Sequence, residues 1–121
     1  MPDPNALVTL ANTYEEIGDT KAAISTWKKT LTSRNNDNNT LQRLATLYED
    51  DGDFANAIKA RKEYLYRVKH LGFAARNNGF RTQIADELEA LGVDEERLGK
   101  TAEAKELFKE AQSAKEGLLN L

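Results

Sequence analysis

The chain has 121 residues, of which 17 are basic and 20 acidic, so its formal net charge is −3. This length suits one domain with a single core. The chain has no cysteine, which excludes disulfides, thiolate nucleophiles and Cys-ligated metals, and its one histidine excludes a His-cluster metal site. No apolar run reaches the roughly 18 residues that span a membrane, and no secretory signal is visible. We therefore expect a cytoplasmic, non-catalytic binding protein without a cofactor or a metal.

A pattern recurs along the chain at a spacing of 34 residues. The segment 10–19 reads Leu-Ala-x-x-Tyr-x-x-x-Gly-Asp, and the same pattern returns at 44–53. A third copy around Leu91-Gly92 comes 47 residues after the second, so an insert of 13 residues lengthens that period. We interpret 1–121 as a single domain with repeats at 4–37, 38–71 and 85–118 and an insert at 72–84.

Each repeat predicts two helices joined by a tight turn, because its apolar residues recur at spacings of three and four. The predicted helices span 5–17, 20–33, 39–51, 54–71, 80–98 and 101–117. The glycines at 18, 52 and 99 should end the first helix of each pair, because glycine adopts a left-handed conformation without strain. Asp19, Thr20 and Asp53 are placed to cap the second helix of the first two pairs.

These residues resemble the tetratricopeptide repeat (TPR) family, and the resemblance covers residues 4–118. The matching residues are Leu7, Leu10, Ala11, Tyr14, Ala23 and Trp27 in the first copy, Leu41, Leu44, Ala45, Tyr48 and Ala57 in the second, and Leu88, Leu91, Gly92, Ala104 and Phe108 in the third. Arg61 stands where the family has an aromatic residue, Glu95 stands where it has tyrosine, and the closing proline is absent. The resemblance implies an all-α fold, a right-handed superhelical α-solenoid of three helix-turn-helix hairpins.

The resemblance also implies a protein–protein interaction scaffold that binds a peptide or a partner helix in a concave groove, lined by the first helix of each hairpin. The implied groove residues are Asn5, Val8, Thr9, Asn12, Glu15 and Glu16, then Asn39, Gln42, Arg43, Thr46, Glu49 and Asp50, and finally Asp86, Glu89, Ala90, Val93, Glu96 and Arg97. Seven of them are acidic and two are basic, which favours a basic or amphipathic ligand. The alternative is that these acids are simply solvated on exposed helices.

A second function remains open, namely a structural assembly module that self-associates through uncapped repeat ends. Its motivation is the apolar ending Leu118, Leu119 and Leu121, which also fits a piece of a longer chain. A clamp for the C-terminal tail of a chaperone, as found in some members of the family, is disfavoured. Of the corresponding positions Val8, Asn12, Arg43, Asp86 and Ala90, only Asn12 matches that clamp.

The remaining candidates are weaker. The one basic concentration, interleaved with Tyr64, Tyr66 and Phe73, consists of Arg61, Lys62, Arg67, Lys69, Arg76 and Arg81. The negative net charge argues against nucleic acid there, so we expect a solvated face. His70 has no carboxylate four residues away to activate it and should be a surface histidine. Phe73 and Phe80 should hold the insert together, and a ligand role for them is the lesser alternative.

Overall fold

A computed structural model describes residues 4–31, 38–70 and 78–117. These residues form six α-helices and, within the described ranges, no strand. The helices are α1 (Pro4–Glu16), α2 (Thr20–Leu31), α3 (Asn38–Asp50), α4 (Phe54–His70), α5 (Asn78–Arg97) and α6 (Thr101–Lys115). The predicted all-α class and the order of the helices are confirmed.

A turn of the same type joins the first and second helix of each pair. Gly18, Gly52 and Gly99 have φ angles of 81°, 78° and 79°, in the left-handed region that the sequence predicts. In the first turn, the amide of Gly18 donates to the carbonyl of Glu15, and the amide of Asp19 donates to the carbonyl of Tyr14. The same pair of hydrogen bonds closes the other two turns, so each is a Schellman motif that satisfies carbonyls at a helix end.

The caps that follow these turns differ. The Oδ1 atom of Asp19 accepts a hydrogen bond from the amide of Ala22 at 3.1 Å, and Asp53 accepts one from the amide of Asn56 at 3.2 Å. Lys100 occupies the corresponding position before α6 and makes no side-chain cap. Capping is therefore confirmed for Asp19 and Asp53, whereas Thr20 is the first residue of α2.

The described residues form two compact units, divided between Ala60 and Arg61, so that α4 contributes to both. In the first unit α2 packs against α1 and α3, around a core built from Ala11, Ala23, Ile24, Trp27, Leu44 and Leu47. In the second unit α5 packs along α6. Its buried side chains include Ile84, Leu88 and Leu91 from α5 and Ala104, Ala111 and Ala114 from α6.

Some predicted features lie outside the described residues. They are most of the turn between the first two repeats, the insert up to residue 77 with Phe73 and Arg76, and the apolar ending with Leu118, Leu119 and Leu121. The side chain of Phe80 also lies outside the description, whereas 81–84 belongs to α5.

Candidate functional site

The first unit contains a concave cavity of about 480 Å³ between α1 and α3. The residues that line it are Glu15, Asn39, Gln42, Arg43, Thr46, Leu47 and Asp50. All of these except Leu47 belong to the predicted groove. The volume lies in the range of about 300 to 1,000 Å³ that is typical of ligand sites in proteins.

The periodicity of α3 explains this lining. Residues 39, 42, 43, 46 and 50 recur at spacings of one, three and four, so they share one face of the helix. The other face carries Thr40, Leu41 and Leu44, which are buried. Because the apolar face is held in the core, the polar face is directed into the cavity.

Glu15 is fixed in place by two partners. Its Oε2 atom accepts a hydrogen bond from Nε1 of Trp27 at 2.7 Å, and its Oε1 atom lies 3.3 Å from Nη1 of Arg43. The guanidinium carbon of Arg43 is also 5.9 Å from the centroid of the Trp27 ring, within the range of a cation–π contact. Glu15 is therefore a structural link between α1, α2 and α3, and Arg43 offsets its charge.

The rest of the cavity offers hydrogen-bonding groups and one further acid. Asn39 and Gln42 carry side-chain amides, which can serve a peptide backbone as donors and acceptors. The hydroxyl of Thr46 donates to the carbonyl of Gln42 at 3.1 Å. Asp50 is exposed at the end of α3. With Glu15 and Arg43 paired, Asp50 leaves the lining with a net negative charge.

The other predicted residues of the first unit do not line this cavity. Asn5, Asn12 and Glu16 are exposed on α1, and Val8 is half-buried against the core. Glu49 is half-buried on α3.

The predicted residues of the second unit lie on α5. Asp86, Val93, Glu96 and Arg97 are exposed, whereas Glu89 and Ala90 are half-buried. Nζ of Lys115 contacts Oε1 of Glu89, and this hydrogen bond raises the pKa of Lys115. Glu89, like Glu15, is thus one half of an ion pair.

The second unit also contains a buried group of charges that sequence reasoning missed. Nη1 of Arg61 lies 2.9 Å from both carboxylate oxygens of Glu87, and Nε of Arg61 lies 3.4 Å from Oδ2 of Asp94. All three residues are buried, with exposed fractions of 7%, 5% and 2%. The expectation that Arg61 belongs to a solvated face is therefore wrong. The signal that could have revealed the group is Arg61 itself, which replaces an apolar residue of the repeat pattern.

Two neighbours extend this group. Glu95 is 2% exposed, and its carboxylate lies 3.6 Å from Nζ of Lys62 and 3.8 Å from Nζ of Lys100. Burial raises the pKa of Tyr64, and the negative charge of Glu87 raises it further. Since each buried carboxylate faces a cation, we interpret the group as a structural element rather than as acid–base machinery.

Two further members of the basic stripe, Arg67 and Lys69, also face acids. Arg67 lies 3.1 Å from Glu63, and Lys69 lies 3.8 Å from Glu110. His70 is exposed, with Nδ1 2.8 Å from the carbonyl oxygen of Tyr66 and its ring stacked on the Tyr66 ring at 4.0 Å. In the described ranges, no three His, Asp or Glu residues are arranged to hold a metal ion.

None of the described helices combines the length and the apolar character needed to cross a membrane. No protein-family model matches the chain, and a search of the curated proteins finds no match.

Proposed function

We propose that this chain is a non-catalytic binding module of the tetratricopeptide type, in which three hairpins form a right-handed superhelical solenoid. The repeated Schellman turns at Gly18, Gly52 and Gly99 support the repeat assignment, because the same two hydrogen bonds recur at the spacings of the sequence pattern. Its ligand is an extended peptide or a partner helix from another protein.

The cavity between α1 and α3 is the observation that carries the binding proposal. It is concave, and six of its seven lining residues come from the groove positions that the family resemblance implies. The amides of Asn39 and Gln42 suit a peptide backbone, and Asp50 suits a basic side chain. The proposed ligand is therefore a peptide segment with at least one lysine or arginine.

A display selection on the intact chain tests this proposal. Random peptides are selected on the parent protein, and the affinity of the enriched peptides is then measured by fluorescence anisotropy. Thr46→Arg places a large cation in the cavity and should abolish binding. Ser25→Arg introduces the same side chain at an exposed position of α2 outside the lining and should leave the affinity unchanged. Enriched peptides that bind Thr46→Arg as well as the parent contradict the proposal, as does a selection without enrichment.

A second matched pair of variants tests whether the cavity favours a basic peptide. Asp50→Asn removes a carboxylate from the lining, whereas Asp51→Asn removes its exposed neighbour, which does not line the cavity. An exposed charge pair contributes about 1 kcal/mol, so Asp50→Asn should weaken a basic peptide about fivefold. An equal loss of peptide affinity in both variants would mean that the overall charge of the protein, and not the carboxylate in the cavity, determines this affinity.

A further inference from the structure

Arg43, which lines the cavity between α1 and α3, contacts a carboxylate and an aromatic ring at once. Its Nη1 atom lies 3.3 Å from Oε1 of Glu15, and its guanidinium carbon lies 5.9 Å from the centroid of the Trp27 ring. Both the negative charge and the face of the ring attract a guanidinium group. We name Glu15 and Trp27 together the guanidinium site.

The guanidinium site has its own support, independent of Arg43. Oε2 of Glu15 accepts a hydrogen bond from Nε1 of Trp27 at 2.7 Å. Trp27 is 6% exposed and belongs to the core of the first unit, so packing fixes its position. We therefore expect Glu15 to stay in place, with Oε1 open to another cation, when Arg43 moves away.

Arg43 is held more weakly than Glu15. The side chain of Arg43 is 52% exposed, whereas that of Glu15 is 21% exposed. Nη1 of Arg43 makes its contact at 3.3 Å, which is longer than the range of about 2.7 to 2.9 Å for a charge-assisted hydrogen bond. An ion pair of such exposure contributes little to stability, so the release of Arg43 into solvent is easy.

We propose that Arg43 is an internal competitor for the guanidinium site, and that an arginine side chain of the ligand displaces it. The assignment of this arginine to a peptide rests on the proposed function. The exchange replaces one guanidinium group by another at Glu15 and Trp27, so contacts elsewhere in the cavity, such as those with Asn39 and Asp50, drive it. Because Arg43 belongs to the same chain, it competes at a high effective concentration and lowers the affinity for every such ligand.

Arginine suits this site better than lysine does. A guanidinium group is planar and weakly hydrated, so it can lie near an aromatic ring while it donates to a carboxylate. An ammonium group is compact and strongly hydrated. Arg43 makes both contacts, with Trp27 and with Glu15. We therefore expect an arginine ligand to bind more tightly than its lysine counterpart.

Trp27 provides a direct readout, because it is the only tryptophan of the chain and its indole N–H donates to Glu15. The probes are N-acetyl-arginine amide, its lysine counterpart and its citrulline counterpart, which has the shape of arginine without the charge. Each probe is titrated at constant ionic strength against the intact ¹⁵N-labelled chain, and the indole N–H signal is followed.

Two matched variants test the competition. Arg43→Gln should raise the affinity for the arginine probe about threefold to fivefold, because the internal competitor is gone. Lys21→Gln, which removes the same charge at an exposed position of α2 outside the lining, should leave this affinity unchanged. The double variant R43Q/E15Q should respond to the arginine probe no more than to the citrulline probe. Its glutamine at position 15 can still accept the hydrogen bond from Trp27, so the fold should persist.

The outcomes decide the inference separately from the proposed function. A gain in arginine affinity that is confined to Arg43→Gln and lost in the double variant supports displacement. Equal affinity in the parent and Arg43→Gln, tighter binding to the parent, or an equal response to citrulline overturns it. Enriched peptides that bind Arg43→Gln no better than the parent also overturn displacement, although peptide binding itself would stand. A selection without enrichment contradicts only the peptide-binding proposal, and the arginine titration then decides the site.

Discussion

The ring of Phe108 lies where a side chain on Gly92 would have to be. A Cβ atom built on Gly92 would come within 2.7 Å of the Phe108 ring, closer than real Cβ contacts. Gly92 therefore allows α5 and α6 to approach each other closely.

In Gly92→Ala the new methyl group overpacks against Phe108, which should cost about 1 to 3 kcal/mol. This loss should outweigh the gain of about 1 kcal/mol that alanine brings to a helix. Urea unfolding of the parent, Gly92→Ala, Phe108→Leu and the double variant measures the coupling. The cost of Gly92→Ala should shrink when Phe108 is leucine, and an unchanged cost would contradict a direct contact.

The buried charges around Arg61 predict that a single substitution destabilises the chain much more than the combined replacement of all three residues. Arg61→Met leaves Glu87 and Asp94 buried without this cation and should cost about 3 to 5 kcal/mol. Replacing all three residues by apolar ones, as in R61M/E87L/D94L, should recover most of that loss. Arg67→Met breaks the more exposed pair with Glu63 and should cost less than about 1 kcal/mol. Chemical denaturation measures the unfolding free energy of each variant. If Arg61→Met lowers it no more than Arg67→Met does, Glu87 and Asp94 do not depend on Arg61 for their burial.

The helix caps predict a difference between neighbouring aspartates. Asp53→Ala removes the side-chain acceptor for the amide of Asn56 and should lower the unfolding free energy by about 1 kcal/mol. Asp51→Ala, which removes an exposed aspartate from the preceding turn, is the matched control and should change stability little. Thermal unfolding of the parent and the two variants measures their stabilities. An equal loss of stability in both variants would argue against capping by Asp53.

Tyr64 predicts a loss of stability at high pH. Its pKa is raised above the ordinary value of 10.0, first by burial and then by Glu87. In the unfolded chain the phenol ionises near pH 10, while in the folded chain it stays protonated to higher pH. The unfolded state therefore binds fewer protons in this window, and stability falls as the pH rises above about 10.

Tyr64→Phe isolates this contribution. The difference in unfolding free energy between the parent and the variant should be constant below about pH 9 and should shift in favour of the variant above about pH 10. Denaturation at a series of pH values measures this difference. A difference that does not change with pH would contradict the proposed burial of the phenol.

Much of the backbone could be predicted from the sequence, because single residue types determine its key points. Gly18, Gly52 and Gly99 mark the three turns, and Asp19 and Asp53 mark two caps. Each of these depends on interactions within a few residues along the chain. The polar face of α3 could also be predicted, because a helical period places residues 39 to 50 on known sides.

The charge pairs could not be predicted, because they depend on how long side chains reach between helices. Glu15 appears in the sequence as a free groove acid, yet it links Trp27 and Arg43. Arg61 likewise appears as part of a basic stripe, although Glu87 and Asp94 hold it in the interior. In both cases the partners lie 12 or more residues apart, and helix periodicity alone does not determine which side chains meet.

A two-dimensional ¹H–¹⁵N NMR titration of the labelled chain with an enriched basic peptide tests directly whether the cavity between α1 and α3 binds the peptide. The signals of the side-chain amides of Asn39 and Gln42 and of the backbone amides of Thr46 and Asp50 should shift with peptide concentration. Thr46→Arg should abolish these shifts at the same peptide concentration. Shifts confined to the second unit, with the amides of α3 unchanged, would contradict a binding site in the cavity between α1 and α3.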